Sequence, residues 1–340
     1  MRLIHTSDWH LGRTLHGESL LAHQAVFLDW LLEQAVTRAA DAVVVAGDIY
    51  DRAVPGTDAV TLLDRSLVAF ARAGIPVVLT SGNHDSPVRL GFGRELSETA
   101  GIHLRTSVAD ITRPVIVADG HGEVGIYGIP YLLPDAVMVE LGADRSHASV
   151  LAAAAERIRS DASERGLART VVIAHAFISG GQISDSERDI RVGGISDSPV
   201  SAVSGCNYLA LGHLHGQQRI PVPGANTVAG YSGSPLAFSF SERHQVKSVT
   251  LAEIDTAGNV MTVLLPTPVP RPLREVRGRL DDLLARADGD LSDLAGAWVK
   301  AVLTDPARPA APMERLREKW PHTLMLDFAP EGGLVAAEAD

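Results

Sequence analysis

Three polar clusters gather residue types that bind divalent cations: Ser7-Asp8-Trp9-His10, Gly47-Asp48-Ile49-Tyr50-Asp51-Arg52 and Gly82-Asn83-His84-Asp85. Further along, His175 stands alone and Gly212-His213-Leu214-His215 adds two more imidazoles. Carboxylate, imidazole and amide oxygen are hard-to-borderline donors, a set that suits Mn²⁺, Fe²⁺ or Zn²⁺. Side chains alternate sides along extended backbone, so Asp8 and His10 point the same way, as do His213 and His215. Asp8, His10, Asp48, Asn83, His175, His213 and His215 are therefore candidate ligands of a dinuclear metal site. His84, next to Asn83, should project into that site without being needed as a ligand. Asp85 is expected to cap the turn or the helix that follows.

Each cluster needs an element to deliver it. Apolar runs at 2–5, 42–46 and 76–79 read as buried strands ending just before the first three clusters, and runs at 170–174 and 208–211 deliver His175 and His213. Apolar residues at helical spacing predict helices over about 20–40, 58–73 and 90–100, with Gly74 stopping the second. Strand and helix alternating in this way call for a parallel sheet with right-handed crossovers. Ligands of such sheets bind beyond the carboxyl ends of the strands, where all the candidates fall. Further strands are expected at 115–117, 124–129, 248–254 and 260–265, with a helix around 152–158; the stretch 177–202 has no period and reads as a long functional loop. Prolines at 266, 268, 270 and 272 make a stiff connector. The expected divisions are a main α/β domain at 1–265, a linker at 266–272, a small α/β domain at 273–330 and a frayed tail at 331–340.

Composition narrows the class. At 340 residues, 46% hydrophobic and 21% charged, the chain is ordinary for a globular protein. No apolar run approaches the ~18–20 residues that cross a bilayer, and no basic leader opens the chain, so a cytoplasmic protein with no membrane partner is expected. The single Cys206 excludes an intrachain disulfide and reads as a packed small residue. A net charge of −11 argues against a surface coated for nucleic acid, yet bound cations and a local basic groove can coexist with an acidic back. Only Lys247, Lys300 and Lys319 among the 30 basic residues are lysines, and arginine is the better bidentate holder of phosphate. Arg13, His16, Arg52, Arg188 and Arg191 are the candidates for meeting a DNA backbone at the cleft rim.

The set Asp8-x-His10, Gly47-Asp48-x-x-Asp51-Arg52, Gly82-Asn83-His84-Asp85, His175 and Gly212-His213-x-His215 resembles the calcineurin-like metallophosphoesterase superfamily. More narrowly, His5-Thr6-Ser7-Asp8-Trp9-His10-Leu11-Gly12, Phe27-Leu28-Asp29-Trp30-Leu31, Ser186-Glu187-Arg188, Gly193-Gly194 and Leu211-Gly212-His213-Leu214-His215 resemble the SbcD family, nuclease subunits of bacterial SbcC-SbcD complexes. The likeness covers about residues 1–265 closely and the small domain more loosely. It implies a two-sheet α/β sandwich with a capping domain, and two divalent ions, most often Mn²⁺, with Mg²⁺, Fe²⁺ or Zn²⁺ as substitutes. Asp8, His10, Asp48 and His215 would hold one ion and Asp48, Asn83, His175 and His213 the other, with Asp48 bridging. Such a pair, ~3.5–4 Å apart, activates water and clamps a phosphodiester for in-line displacement, with a bridging hydroxide as the expected nucleophile. His84 would contact the scissile phosphate and assist protonation of the leaving oxygen, and Asp51 would orient its ring.

The resemblance also implies cleavage of DNA at duplex ends, hairpins and single strands, an SbcC ATPase partner, and a homodimer through 58–73 and 90–100. Leu62, Leu63, Leu67 and Phe70 are the candidates for that interface. No helical pair of the kind on which the ATPase docks is evident after Phe328, so weakened partner binding is expected. Two other readings are a different hydrolase of the superfamily, acting on cyclic nucleotides or phosphoproteins, and a DNA-binding scaffold with structural metals.

Overall fold

Runs rich in Val, Ile and Ala become strands buried on both faces, as parallel sheets covered by helices require. In the computed structural model, which describes residues 1–187 and 198–331, the order from the N-terminus is β1 (Arg2–Thr6), the two-residue strands β2 (Thr14–Leu15) and β3 (Glu18–Ser19), α1 (Leu21–Thr37), β4 (Ala42–Ala46), α2 (Thr57–Arg72), β5 (Val77–Thr80), α3 (Pro87–Leu90), α4 (Arg94–Glu98) and β6 (Ile102–Arg105). Then come β7 (Val115–Asp119), β8 (Gly122–Ile129), α5 (Pro134–Leu141), α6 (His147–Glu164), β9 (Thr170–His175), β10 (Tyr208–Gly212), β11 (Gln218–Ile220), β12 (Val228–Tyr231), β13 (Ser248–Ile254) and β14 (Val260–Pro266).

These strands form two six-stranded sheets, ordered β14-β13-β1-β4-β5-β6 and β11-β12-β10-β9-β8-β7. In the first, β1, β4, β5 and β6 run parallel; in the second, β8, β9, β10 and β12 do. Leu3, Val44, Val78, Ile126, Ile173 and Tyr208 fill the space between the sheets. Phe27, Leu31, Leu63 and Phe70 of α1 and α2 cover the outer face of the first sheet, and Val150, Leu151 and Ile158 of α6 cover that of the second. The result is the expected two-sheet α/β sandwich.

The helix expected over 90–100 is instead two short helices, α3 and α4, because Gly93 adopts φ +71° at the entrance to α4. Leu62, Leu63 and Phe70 are buried in the core and Leu67 packs on it, so that stripe faces inward rather than toward a second copy. The most exposed apolar side chains of this region are Val88, Phe92 and Leu96, at 85%, 88% and 79%.

The chain divides into two compact units: Met1–Thr14, Ser19–Leu236 and Gln245–Pro268 form the first, and Leu15–Glu18, Ala237–His244 and the residues from Val269 onward form the second. Within the second, β15 (Leu273–Gly278), β16 (Trp298–Leu303) and β17 (Thr323–Phe328) make a three-stranded parallel sheet in that order. Helices α7 (Leu280–Arg286) and α8 (Pro312–Lys319) accompany it. Leu280, Leu283, Leu316 and Trp320 form its core with Val299, Ala301 and Leu303.

One buried histidine of the first unit sets a pH dependence. His5, on β1, has Nε2 3.1 Å from the Leu211 carbonyl and Nδ1 2.9 Å from the Tyr208 hydroxyl. The carbonyl can only accept, so Nε2 carries the proton and the tyrosine donates to Nδ1. Burial lowers the ring's pKa from 6.5 to about 3. Between those values the unfolded chain binds a proton that the folded chain excludes, so stability falls on acidification, by up to ~1.4 kcal/mol per pH unit from this group. Urea unfolding from pH 7 to pH 4 should show this slope, and His5→Gln should lessen it by one proton. An unchanged slope in the variant would contradict the assignment.

Candidate metal centre

Five parallel strands end on one edge of the first unit. Asp8 and His10 follow β1, Asp48 follows β4, Asn83 and His84 follow β5, His175 closes β9, and His213 and His215 follow β10. The loops are laced together: Asp8 N–H donates to Gly47 O at 3.1 Å, His10 N–H to Asp48 O at 3.0 Å and Leu11 N–H to Ile49 O at 2.9 Å. Asp8, His10, Asp48 and His213 all have positive φ, at 53°, 45°, 50° and 109°. Such backbone costs ~1–3 kcal/mol per residue and persists at sites whose surroundings over-determine it.

The side chains converge. Asp8, His10 and His215 have ligating atoms within 4.8 Å of one another, as do Asp8, Asp48 and His175, and also His10, Asp48 and His84. Asp48 Oδ2 lies 3.6 Å from His10 Nε2 and 3.5 Å from His175 Nε2, which puts this carboxylate between the two histidines. His175 donates Nδ1–H to the Ala46 carbonyl at 2.9 Å, leaving Nε2 with a lone pair that faces Asn83 Oδ1 at 2.9 Å. His213 Nδ1 stands 3.2 Å from the same oxygen, and the Asn83 amide nitrogen is buried without a partner among the described residues. Lone pairs directed at one another repel unless a cation lies among them, so these residues fit a divalent ion.

Electrostatics point the same way. Burial, then the charge of Asp48, raises the Asp8 pKa well above its ordinary value. Burial lowers those of His10, His175 and His213. A bound cation favours both the ionised carboxylate and the neutral imidazole, and so removes the first conflict while using the second.

His84 is half-buried. Its backbone N–H donates to Asp48 Oδ1 at 2.9 Å, and its Nδ1 lies 2.8 Å from the Asp51 carbonyl. The proton is therefore on Nδ1, which leaves Nε2 as the atom able to exchange one. Asp51, expected to orient this ring, meets it through its backbone oxygen. The Asp51 carboxylate instead lies 3.5 Å from His10 Nδ1 and 3.4 Å from Arg13. Arg13, Thr14, Asp51, Arg52, Ala53, Asn83 and His84 line an open cleft of about 530 Å³. Arg52 is 81% exposed at its rim. His16 belongs to the second unit, with its ring 5.6 Å from that of Phe240. Arg188 and Arg191 lie outside the described residues.

Several residues support these loops, Gln24 and Lys247 among them without a sequence signal. Gln24 of α1, fully buried, donates to the carbonyls of Trp9 and His10 at 3.0 and 2.7 Å and accepts from Gly12 N–H at 3.1 Å. Asp85 accepts from Ile49, Tyr50 and Gly82 N–H at 2.9–3.0 Å, tying the Asp48 loop to the Asn83 loop, while Ser86 caps α3. Burial and the charge of Asp48 push the Asp85 pKa up to about 7 against those three donors. Lys247, also buried, donates to the His215 carbonyl at 2.9 Å. Glu187 accepts from His215 N–H at 2.7 Å, and Ser186 Oγ meets His215 Nδ1 at 2.5 Å.

Removing the three-way Asp85 tether leaves three buried N–H groups unpaired, at ~1–3 kcal/mol each. Asp85→Ala should therefore lower the unfolding free energy by about 3 kcal/mol or more in denaturant titration, and a loss under about 1 kcal/mol would contradict the tether.

Comparison with known proteins places this geometry. Residues 269–338 match the SbcD C-terminal model, described as the type 5 capsule protein repressor C-terminal domain. The SbcD component of the SbcCD nuclease from Staphylococcus saprophyticus is 29% identical over 329 residues, covering 96% of this chain and 84% of that one. Among solved structures, the calcineurin-like phosphoesterase YfkN from Bacillus subtilis is 13% identical with a TM-score of 0.41, covering 79% of this chain and 89% of that one. The sulfate thiohydrolase SoxB of Thermus thermophilus is 12% identical with a TM-score of 0.40, covering 78% and 56%. The likeness to SbcD thus runs through both units, and residues 1–217, which hold every candidate ligand, match the model described as calcineurin-like phosphoesterase: the chain belongs to that family.

Proposed function

We propose that this chain is an Mn²⁺-dependent DNA nuclease of the SbcD kind, cutting phosphodiester bonds at duplex ends, hairpins and single strands, in the cytoplasm, with an SbcC ATPase in DNA repair and recombination. The observation that carries the reading is the convergence of Asp8, His10, Asp48, His175, His213 and His215, all buried, with the half-buried Asn83, beside an arginine-bearing cleft. Asp8, His10, Asp48 and His215 would hold one ion and Asp48, Asn83, His175 and His213 the other. When bound, two such ions supply Lewis acidity and a water of lowered pKa. Arg13 and Arg52 hold the backbone phosphate at the mouth of the cleft. His84, with Nδ1–H fixed on the Asp51 carbonyl, moves a proton at Nε2 as the oxygen leaves. The exposed Val88, Phe92 and Leu96 offer a face for a homodimer. No described helix is long and apolar enough to cross a membrane.

The test is His84→Ala. Its kcat on a phosphodiester should fall by ~10²–10⁴-fold, the range of general acid–base catalysis, with metal content unchanged. Full turnover at unchanged metal content would remove His84 from the mechanism. If the parent chain hydrolyses small phosphoesters and leaves DNA intact with SbcC present, it is another hydrolase of the same family.

A further inference from the structure

A second cavity, of about 390 Å³, opens in the first unit beside the last metal-ligand loop, lined in part by Ile183, Gln217, Gln218, Gln245, Val246 and Ser248. Among the described residues no ionisable side chain lines it, in a chain that is 21% charged, so these walls offer a phosphate no countercharge. Its polar groups are amides and a hydroxyl, and its apolar walls include Ile183 and Val246, which stand 69% and 74% exposed. Ser248 is 2% exposed and its hydroxyl has no partner among the described residues, although buried hydroxyls are nearly always paired. Gln245 accepts from the Lys247 ammonium at 2.8 Å, which leaves its amide N–H₂ to donate elsewhere. A ligand matching these walls is flat and uncharged, apolar on its faces and hydrogen-bonding at its edges.

We infer that this cavity is a nucleobase subsite, holding one unpaired, unstacked base of the strand being cut. The inference rests on the nuclease reading and adds what that site selects. Gln217 stands two residues after His215, so their Cα atoms are no more than ~7 Å apart. A base held here belongs to a nucleotide next to the phosphate at the metal centre. Such a base must leave its duplex partner first, and substrates whose bases are already free, such as frayed ends and hairpin loops, bear the least cost.

The experiment uses the full chain in Mn²⁺ with single-stranded oligonucleotides, one abasic residue being stepped through the positions around the cleaved bond. At one position the missing base should lower kcat/KM by about tenfold, the size of one net hydrogen bond. In Ser248→Ala and Gln217→Ala the penalty at that position should shrink to about twofold, since contacts already lost cannot be lost again. Ser248→Ala removes a hydroxyl that bonds nothing among the described residues, so it should fold. Equal penalties at every position, or an undiminished penalty in both variants, would overturn the subsite while leaving the nuclease reading in place. A parent chain that hydrolyses a small phosphodiester and cuts no oligonucleotide would overturn both.

Discussion

Changing Asp48 to Asn lowers metal-dependent phosphodiester hydrolysis by at least about a thousandfold, the loss expected when ~4 kcal/mol of transition-state stabilisation disappears. Asp48 Oδ2 lies 3.6 Å from His10 Nε2 and 3.5 Å from His175 Nε2, and Oδ1 accepts from His84 N–H. Asparagine keeps the volume but replaces one oxygen with a donor, and a neutral amide would be a poor replacement for the proposed bridging carboxylate. Unfolding should not be the cause, and stability tests this. In the cation-free chain the Asp8 carboxyl is disfavoured as a charge, first by burial and then by the neighbouring Asp48 carboxylate. The variant, without that second charge, should melt at or above the parent when both are stripped with chelator. Added Mn²⁺ at a hundred times its Kd should stabilise the parent by ~2.7 kcal/mol and the variant far less. An equal Mn²⁺-dependent rise in Tm would contradict the role given to Asp48.

Gly212→Ala should cost about 3 kcal/mol or more of unfolding free energy, and activity with it, at a residue that ligates nothing. Gly212 closes β10 of one sheet where Ala46 closes β4 of the other, and a Cβ there would press into the Ala46 carbonyl oxygen, with the Ala46 carbonyl carbon at 2.8 Å and Ser7 Cβ at 3.0 Å. Both obstacles at Ala46 are backbone, so no side chain can swing aside. The same carbonyl accepts from His175 Nδ1, and Asp48 follows two residues later. Parting the sheets therefore moves ligands on both. Gly56→Ala, with nothing within 4 Å of the added carbon, is the control and should cost no more than about 1 kcal/mol, the preference for glycine over alanine at the N-cap of α2. Comparable melting of the two variants would contradict the close approach of the sheets.

The parallel cores were legible because strands buried on both faces are written as unbroken apolar runs, as in Ala42–Ala46 and Thr170–His175. Three short, glycine-broken or charged strands were not. Gln218–Ile220 is three residues long, Val228–Tyr231 is interrupted by Gly230, and Leu273–Gly278 carries three charges in six residues, so neither length nor alternation marks them. The glycines at 91 and 93 broke a helix that periodicity alone continued. In the site, the candidate ligands could be named because each follows a readable strand. Gln24 and Lys247 could not, because a buried polar residue declares itself through partners distant in sequence: Lys247 bonds to a carbonyl 32 residues away, and Asp85, legible as a turn cap, also reaches backbone 35 and 36 residues away. The Asp51 carbonyl as the support of His84 is likewise a backbone contact that no side-chain pattern encodes.

The most direct measurement is cleavage of end-labelled linear duplex and hairpin DNA by the purified chain, stripped with chelator and then returned to Mn²⁺, with SbcC present and absent. The account predicts no cleavage without metal, its restoration by Mn²⁺, and its disappearance in Asp48→Asn. DNA cleavage that persists in chelator, or that Asp48→Asn retains in full, would contradict it.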